Sequence, residues 1–421
     1  KRSQAVYQPQ GMGVRFMFMR EAVSRIATYS ADTFGVCSAL FELGGMIVIH
    51  DPSGCNSTYT THDEPRWYER DSLIFISGLT EMDALMGNDE KLVHDVIEGA
   101  RQFSPRFIVL LCTPVPLMMG TDFPALAQEI EDATGIPTFS GTTNSMETYE
   151  KGISWALQLL ANHIVKENPI SVSGHFCCSW QPTFASQSKK AIPVNVIGMT
   201  PLDFAYQGSE KTIRRFLAKQ GFSVRSIWAM GSRLEEIEMA GQANVNLVVS
   251  YGGLEAANIM KERFGQPYVV GMPIGPFQDT VRQALLQAVH TGENQYPCLQ
   301  RTGAEDANLA IIGESVYAAS LAAALEMAVG VPVQVLCPLE PAEKTLQQTD
   351  CRIASEQELQ ACLREKDIII ADPLYQPVCP ARSRVVPLGH EAFSGRMYQH
   401  EIPDLMKPEV FAEFVKQVKG V

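Results

Sequence analysis

The residues best placed to do chemistry lie in the run His50-Asp51-Pro52-Ser53-Gly54-Cys55. An apolar stretch ends at His50, and Pro52, Ser53 and Gly54 then turn the chain and deliver a thiol at Cys55. A thiolate on such a turn suits iron in a sulfur-rich site, which takes soft ligands. Spacing by itself favours the plainer alternative, a buried cysteine in a tight turn. Just behind come His62, Asp63, Glu64 and Arg66. These four could line a proton or docking route, or form a solvated loop with a salt bridge. Cys112 and Cys379 follow apolar runs, and Cys37 lies in a helical stretch. The vicinal pair Cys177-Cys178 falls in a polar linker, where a bland loop is the simpler reading than a metal or redox site.

The rest of the composition narrows the setting. Ten cysteines are scattered through 421 residues with no CxxC pair, which argues against a disulfide framework, a zinc ribbon or a thioredoxin-type site. A reducing, cytoplasmic location is the expectation. A net charge of −13 and the lack of a Lys/Arg cluster argue against a nucleic-acid binder. No apolar run reaches membrane-spanning length, so no membrane partner is expected. Lys1-Arg2-Ser3-Gln4 does not open a signal-peptide pattern. With 46% hydrophobic and 19% charged residues, the chain suits a large protein with several buried cores. GxxxxGK[ST], a strand-linked GxGxxG, HExxH and GxSxG are all missing. Chemistry must then come from cysteines, histidines and loops, or from a partner.

The elements that would position these residues alternate between strand and helix. Apolar runs at Met46–His50, Leu73–Ser77, Arg106–Cys112 and Ile136–Phe139 read as strands. Ala31–Leu43, Asp122–Thr134 and Ser145–Val165 read as helices, with Asp122 as N-cap and Gly135 as stop. After a linker from Lys166 to about Lys190, strands are expected at Val194–Gly198, Val224–Trp228, Val245–Ser250 and Tyr268–Gly271. A second linker begins at Thr291. Leu309–Gly313, Val331–Cys337, Ile368–Ala371 and Arg384–Pro387 are the strands of a third unit, and Pro408–Lys419 is a last amphipathic helix. Alternation of this kind implies parallel sheets and a fold of the α/β class, with three doubly wound domains at 1–190, 191–302 and 303–421. Ligands of such sheets sit beyond the carboxyl ends of strands, so the loops after strands are where function is expected.

Those loops, taken in order, resemble the nitrogenase component 1 family. In the first domain the resemblance rests on His50–Cys55, then His62-Asp63-Glu64-Pro65, Leu79-Thr80-Glu81-Met82-Asp83 and Met86-Gly87-Asn88-Asp89-Glu90-Lys91. Pro105–Cys112, Gly120-Thr121-Asp122 and Gly141-Thr142-Thr143-Asn144-Ser145 continue it. In the second domain it rests on Asn195-Val196-Ile197-Gly198, Gly208-Ser209-Glu210, Phe216–Gly221, Asn246–Tyr251, Glu262–Pro267 and Pro273-Ile274-Gly275. The family includes dinitrogenase subunits, their cofactor-assembly relatives and the dark-operative protochlorophyllide and chlorin reductases.

The resemblance implies an oxidoreductase subunit that carries an iron–sulfur cluster, [4Fe–4S] or larger, open to sharing between subunits. It implies electron transfer from a separate ATP-hydrolysing [4Fe–4S] reductase, and a homologous or identical partner subunit in a dimer or an α2β2 tetramer. Cys55 matches the family's central cluster cysteine without a gap. The other two positions fall on Ser30 and Pro114, so Cys37 and Cys112 are displaced candidates for metal ligands. His390, in Leu388-Gly389-His390, sits where the cofactor-bearing α subunit has its histidine, so a second metallocluster stays open. The matching cysteine of the second domain is Ser250, a harder and poorer ligand, which points to a β-type or non-nitrogen-fixing relative. The substrate is left as a small molecule or a tetrapyrrole. A metallocofactor assembly scaffold and a cluster-free binding subunit stand as alternatives.

Overall fold

A computed structural model describes residue 28 and residues 30–52, 54, 56, 63–167, 191–206, 208–304 and 306–420. The vicinal pair Cys177-Cys178, together with Cys55 and His62, lies outside the described residues.

The chain forms three parallel sheets. The first holds β1 (Met46–Ile49), β2 (Leu73–Ile76), β3 (Ile108–Leu111) and β4 (Thr138–Ser140), in the order β2-β1-β3-β4. The second holds β5 (Ile192–Ile197), β6 (Phe222–Ile227), β7 (Val245–Val248) and β8 (Tyr268–Val270), in the order β6-β5-β7-β8. The third holds β9 (Leu309–Ile312), β10 (Val333–Cys337), β11 (Cys351–Arg352), β12 (Ile368–Ala371) and β13 (Arg384–Pro387), in the order β11-β10-β9-β12-β13. Central strands β1, β3, β7 and β10 are buried along their whole length, which is why they read as unbroken apolar runs rather than alternating ones. In each sheet the chain starts in the middle and winds outward both ways, so a crevice opens at the carboxyl ends where the order reverses.

Helices cover the faces. The first unit carries α1 (Asp32–Leu40), α2 (Glu81–Met86), α3 (Asp89–Phe103), α4 (Pro114–Met119), α5 (Phe123–Thr134) and α6 (Tyr149–Leu159). The second carries α7 (Ser209–Lys219), α8 (Leu234–Glu238), α9 (Leu254–Phe264) and α10 (Phe277–Thr291). The third carries α11 (Ser315–Val329), α12 (Glu356–Leu363), α13 (Glu391–Ser394) and α14 (Pro408–Lys419). The boundaries expected for α5 are met in chemical detail: Asp122 accepts from the Ala125 amide at 3.1 Å, and Gly135 takes the left-handed conformation that stops the helix. The long helix expected over Ser145–Val165 is shorter. It begins at Tyr149, after a loop whose Asn144 and Ser145 amides bond Asp32, and it ends in a π-helical turn, Leu160–Ile164.

Helix α6 is the axis of the molecule. Buried residues lie all round it, and one hydrophobic cluster runs from Ile49 of the first sheet through Val248 of the second to Leu336 of the third. It crosses α1 at very short range. A Cβ on Gly152 would lie 1.8 Å from the Asp32 carbonyl oxygen, and one on Gly35 would lie 1.9 Å from that of Tyr149. Only glycine allows backbones that close. Among the described residues no helix is long and apolar enough to cross a membrane.

Candidate functional site

The first site is built where β1 and β3 end. These strands pair in register, Ile49 opposite Leu111, so His50 and Cys112 leave the sheet side by side. Asp51 ties the two exits together. Its carboxylate accepts from Thr113 Oγ1 at 2.7 Å and from Asn56 Nδ2 at 2.8 Å. Thr113 Oγ1 also lies within donating distance of the His50 carbonyl, at 2.9 Å. Asp51 and Asn56, which flank position 55 in the chain, are thus hydrogen-bonded to each other.

Three further loops converge on the same place. After β2, Ser77 Oγ lies 2.8 Å from His50 Nδ1 and receives the Asp51 amide at 3.2 Å. Thr80 then starts α2 with a reciprocal cap, accepting from the Asp83 amide while Asp83 accepts from that of Thr80. After β4, Thr143 Oγ1 donates to the Cys112 carbonyl at 2.9 Å. The amides of Asn144 and Ser145 both donate to Asp32, at the start of α1, at 2.8 Å. Burial pushes the Asp32 carboxyl up to about 6 against these amides, which favour its ionised form. Thr33 Oγ1 closes the ring by donating to Asn56 Oδ1 at 3.4 Å.

Cys112 belongs to this convergence. It is buried, donates to the Thr113 carbonyl at 3.4 Å, and burial raises its thiol. Cys37 does not. It is fully buried within the hydrophobic cluster of α1 and α6, and desolvation drives its thiol far up. That is a packed-core setting on α1, and the expectation of Cys37 as a displaced ligand draws no support from it. Ser30 stands at the position counted back from Cys55, and its hydroxyl is buried with no partner among the described atoms. The same holds for His50 Nε2, and burial holds the ring below its ordinary pKa, hence neutral. Among the described residues no three His, Cys, Asp or Glu side chains gather so as to hold a metal ion unaided.

Of the polar group after Cys55, Asp63, Glu64 and Arg66 are buried rather than solvated. Glu64 and Arg66 are buried and form a bidentate pair at 2.6 and 2.9 Å. Arg66 also donates to the carbonyls of Ser38 and Ala229, at 2.7 and 2.8 Å, and so fastens the first unit to the second. Asp63 pairs with Arg396 of the third unit at 3.5 Å.

A second polar centre lies where the three units meet. Tyr149 of α6 donates to Asp203 Oδ1 at 2.5 Å, and His390 Nε2 lies 3.0 Å from the same oxygen. One residue comes from each unit. Glu150 accepts the Glu340 amide at 2.7 Å while its other oxygen has no partner among the described atoms. Glu314 caps α11 and accepts the Tyr251 amide at 3.0 Å. Burial raises Glu150 strongly and Glu314 to about 7. Ser250, at the position expected of an anchoring cysteine, donates to the Gly198 carbonyl at 2.6 Å. Cys379 donates to the Tyr375 carbonyl at 3.3 Å. The donors here are oxygens and one imidazole, with Tyr149, Asp203 and His390 bonded to one another, and they do not fit a large sulfur-rich metallocluster.

Sequence reasoning located the strand-end loops, Asp51 among them, but missed Asp32, Thr113, Tyr149, Asp203, Glu150 and Glu314. The available signal was an acid or hydroxyl within a few residues of an apolar run, as in Gly313-Glu314-Ser315 after Leu309–Ile312.

Comparison with known proteins gives this geometry a context. Residues 33–289 match the model of the nitrogenase component 1 type oxidoreductases. The nitrogenase iron-molybdenum cofactor biosynthesis protein NifE of Klebsiella pneumoniae is 23% identical over 250 residues, 56% of this chain and 51% of that protein. The nitrogenase molybdenum-iron protein alpha chain of Methanothermobacter thermautotrophicus is 25% identical over 244 residues, covering 53% and 47%. A subunit of the light-independent protochlorophyllide reductase of Synechococcus sp. is 23% identical over 201 residues, covering 47% and 38%. The chain thus spans about half or less of the length of these relatives. Among solved structures, nitrogenase Cp1 superposes with a TM-score of 0.65 at 15% identity, covering 95% of this chain and 94% of that one, a likeness of fold.

Proposed function

This chain belongs to the nitrogenase component 1 type oxidoreductases, and on that footing we propose that it is an iron–sulfur-bearing electron-transfer subunit whose cluster site is the convergence of loops after β1 and β3. The observation that carries this reading is the pairing of β1 with β3, which sets Cys112 beside His50, with Asp51 bonded to Thr113 and to Asn56. Cys55 and Cys112 are the thiols this chain would contribute, with further ligands from a homologous or identical subunit. An iron–sulfur cluster, when bound, supplies single-electron transfer. The residues around it do the rest. Asp51 and Asp32 fix the loops, and His50, neutral and with a buried Nε2 that has no partner among the described atoms, is available to hydrogen-bond a cluster sulfur.

An exposed apolar face beside these loops suits a protein partner. Met82, Leu85 and Met86 of α2 and Leu117 and Met118 of α4 are each between 59% and 88% exposed. An ATP-hydrolysing [4Fe–4S] reductase docking there would reach the cluster by a short path. Reduction of a small molecule or a tetrapyrrole by the assembled protein is the activity in view. Assembly of a metallocofactor, as the name of NifE describes for that protein, is the second reading, favoured by the similarity over 56% of this chain.

Anaerobic purification followed by iron and acid-labile sulfide analysis tests the proposal. Iron should be present in the wild type, lost in Cys55→Ala, lowered in Cys112→Ala and kept in Cys37→Ala. Iron-free wild type would sink the cluster, and full iron in Cys55→Ala would sink the ligand assignment. Substrate-dependent, ATP-dependent oxidation of a reduced partner separates enzyme from scaffold.

A further inference from the structure

A cavity of about 380 Å³ in the first unit plays no part in the reading above. It lies between α5, α6 and β4, and β4 ends its sheet, so one edge of that strand is open. Its size falls within the range of small-molecule sites, about 300–1,000 Å³. Rings, amides and hydroxyls line it, and no Lys, Arg, Asp or Glu does.

The strand supplies main-chain groups. Gly141 donates its amide to the Leu110 carbonyl at 2.7 Å, so the Ser140 carbonyl, across the same peptide, turns away from β3. The Ser140 amide turns the same way by the two-residue alternation of a strand. Thr138, two residues earlier, also turns its amide outward, and Glu131 accepts it at 3.0 Å. Ser140, which lines the cavity, has no such cap among the described atoms.

Helix α6 supplies a wall. Trp155, Gln158 and Asn162 follow one another at helical spacing down the face that lines the cavity. Trp155 is half-buried beside the end of β4, its Cη2 3.5 Å from where a Cβ on Gly141 would sit. Gln158 donates its amide nitrogen to Ser154 Oγ at 3.2 Å, and its amide oxygen has no partner among the described atoms. Asn162 and His163 belong to the π-helical turn, a feature common at binding sites. Arg263 of α9 holds that turn by donating to the carbonyls of Ala161, Asn162 and Val165. The His163 ring leans on Phe139 of β4, with centroids 5.1 Å apart at 45°.

Aromatic faces, uncharged amides and an open strand edge match one ligand chemistry. An anion meets no cation in this lining, and an aliphatic ligand leaves the amides unpaired. We propose that the cavity binds a neutral, planar heteroaromatic molecule of one or two rings. The face of the ligand lies against Phe139, Trp155 and His163. Its ring donors and acceptors pair with the Ser140 main chain and the amides of Gln158 and Asn162. The site shares no lining residue with the loops after β1 and β3, so it does not rest on the cluster reading.

Equilibrium dialysis of the full chain against labelled adenine, a neutral two-ring probe, tests the proposal. Saturable binding of one adenine per chain is expected. Gln158→Ala and Asn162→Ala, at half-buried and exposed positions, should each weaken it about three- to tenfold, the worth of one hydrogen bond. Trp155→Ala should abolish it. Adenosine monophosphate should bind no tighter than adenine, since its phosphate finds no cation. No saturable binding of adenine, wild-type affinity in both amide variants, or a gain from the phosphate would overturn the proposal. The two amide variants decide this even where Trp155→Ala fails to fold.

Discussion

Gly152→Ala tests how the loops at the candidate site are held in place. The new methyl carbon would sit 1.8 Å from the Asp32 carbonyl oxygen and 2.6 Å from its carbon, both backbone atoms that no rotamer change can move. Ordinary contact begins near 3.4 Å, so α1 and α6 must part by about 1.6 Å, the difference between 3.4 and 1.8. Helix α6 has little room to yield, with buried residues on all its faces. Overpacking of this kind costs about 1–3 kcal/mol, and a backbone collision belongs at the upper end. Alanine in a helix interior returns about 0.5–1 kcal/mol. A net loss of about 2 kcal/mol is therefore expected in urea unfolding followed by tryptophan fluorescence. Because the collision partner is Asp32, its bonds to Asn144 and Ser145 should loosen too, and iron content should fall with stability. Gly99→Ala in α3 is the control. Its methyl meets only Met46 Sδ, at 3.5 Å, and should stabilise by about 0.5–1 kcal/mol. A Gly152→Ala protein as stable as wild type, or a Gly99→Ala protein equally damaged, would refute the close-approach reasoning.

Two further outcomes follow from buried charge. Arg66→Ala takes the bidentate partner from buried Glu64 and the tie to the Ala229 carbonyl, and should cost about 3–5 kcal/mol in denaturant unfolding; Arg66→Lys should recover less than half, since an ammonium cannot reproduce the fork. Glu391 is raised by burial, with Glu64 and Asp63 nearby, from 4.5 to about 9. The folded state therefore holds a proton that the unfolded chain releases above its ordinary carboxyl pKa. The contribution of Glu391 to stability should be full below pH 4.5, fall as pH rises toward about 9 by at most about 1.4 kcal/mol per unit, and level off above. Glu391→Gln should flatten that portion of a pH series of melting temperatures, and an unchanged slope would mean that Glu391 is ionised in the native protein.

The alternation of apolar runs with amphipathic stretches was enough to set three parallel sheets and most of their strands, because strands buried on both faces leave continuous apolar segments. Ile368–Ala371 and Arg384–Pro387 are found as expected to the residue. Helix punctuation was equally legible at Asp122 and Gly135, since capping depends on neighbours in sequence. β11 was not legible. Two residues at a sheet edge, at Cys351 and Arg352, carry no periodicity, and their partners lie on β10.

For the candidate site, the sequence determined which loops matter, because ligands of doubly wound sheets gather at strand ends and the order of those ends is written along the chain. It set Cys55 in the first such loop and put Cys112 at the end of a neighbouring strand. Only the tertiary structure decided what each side chain meets. Cys37 and Cys112 are alike as letters, yet one is enclosed by α1 and α6 and the other opens onto the loops. Tyr149, Asp203 and His390 are separated by 54 and 187 positions and become hydrogen-bond partners only when the three units close. Such contacts depend on the crossing of α1 and α6 and on the packing of three sheets about α6. Those are sums of many weak apolar contacts, and no short stretch of sequence encodes them.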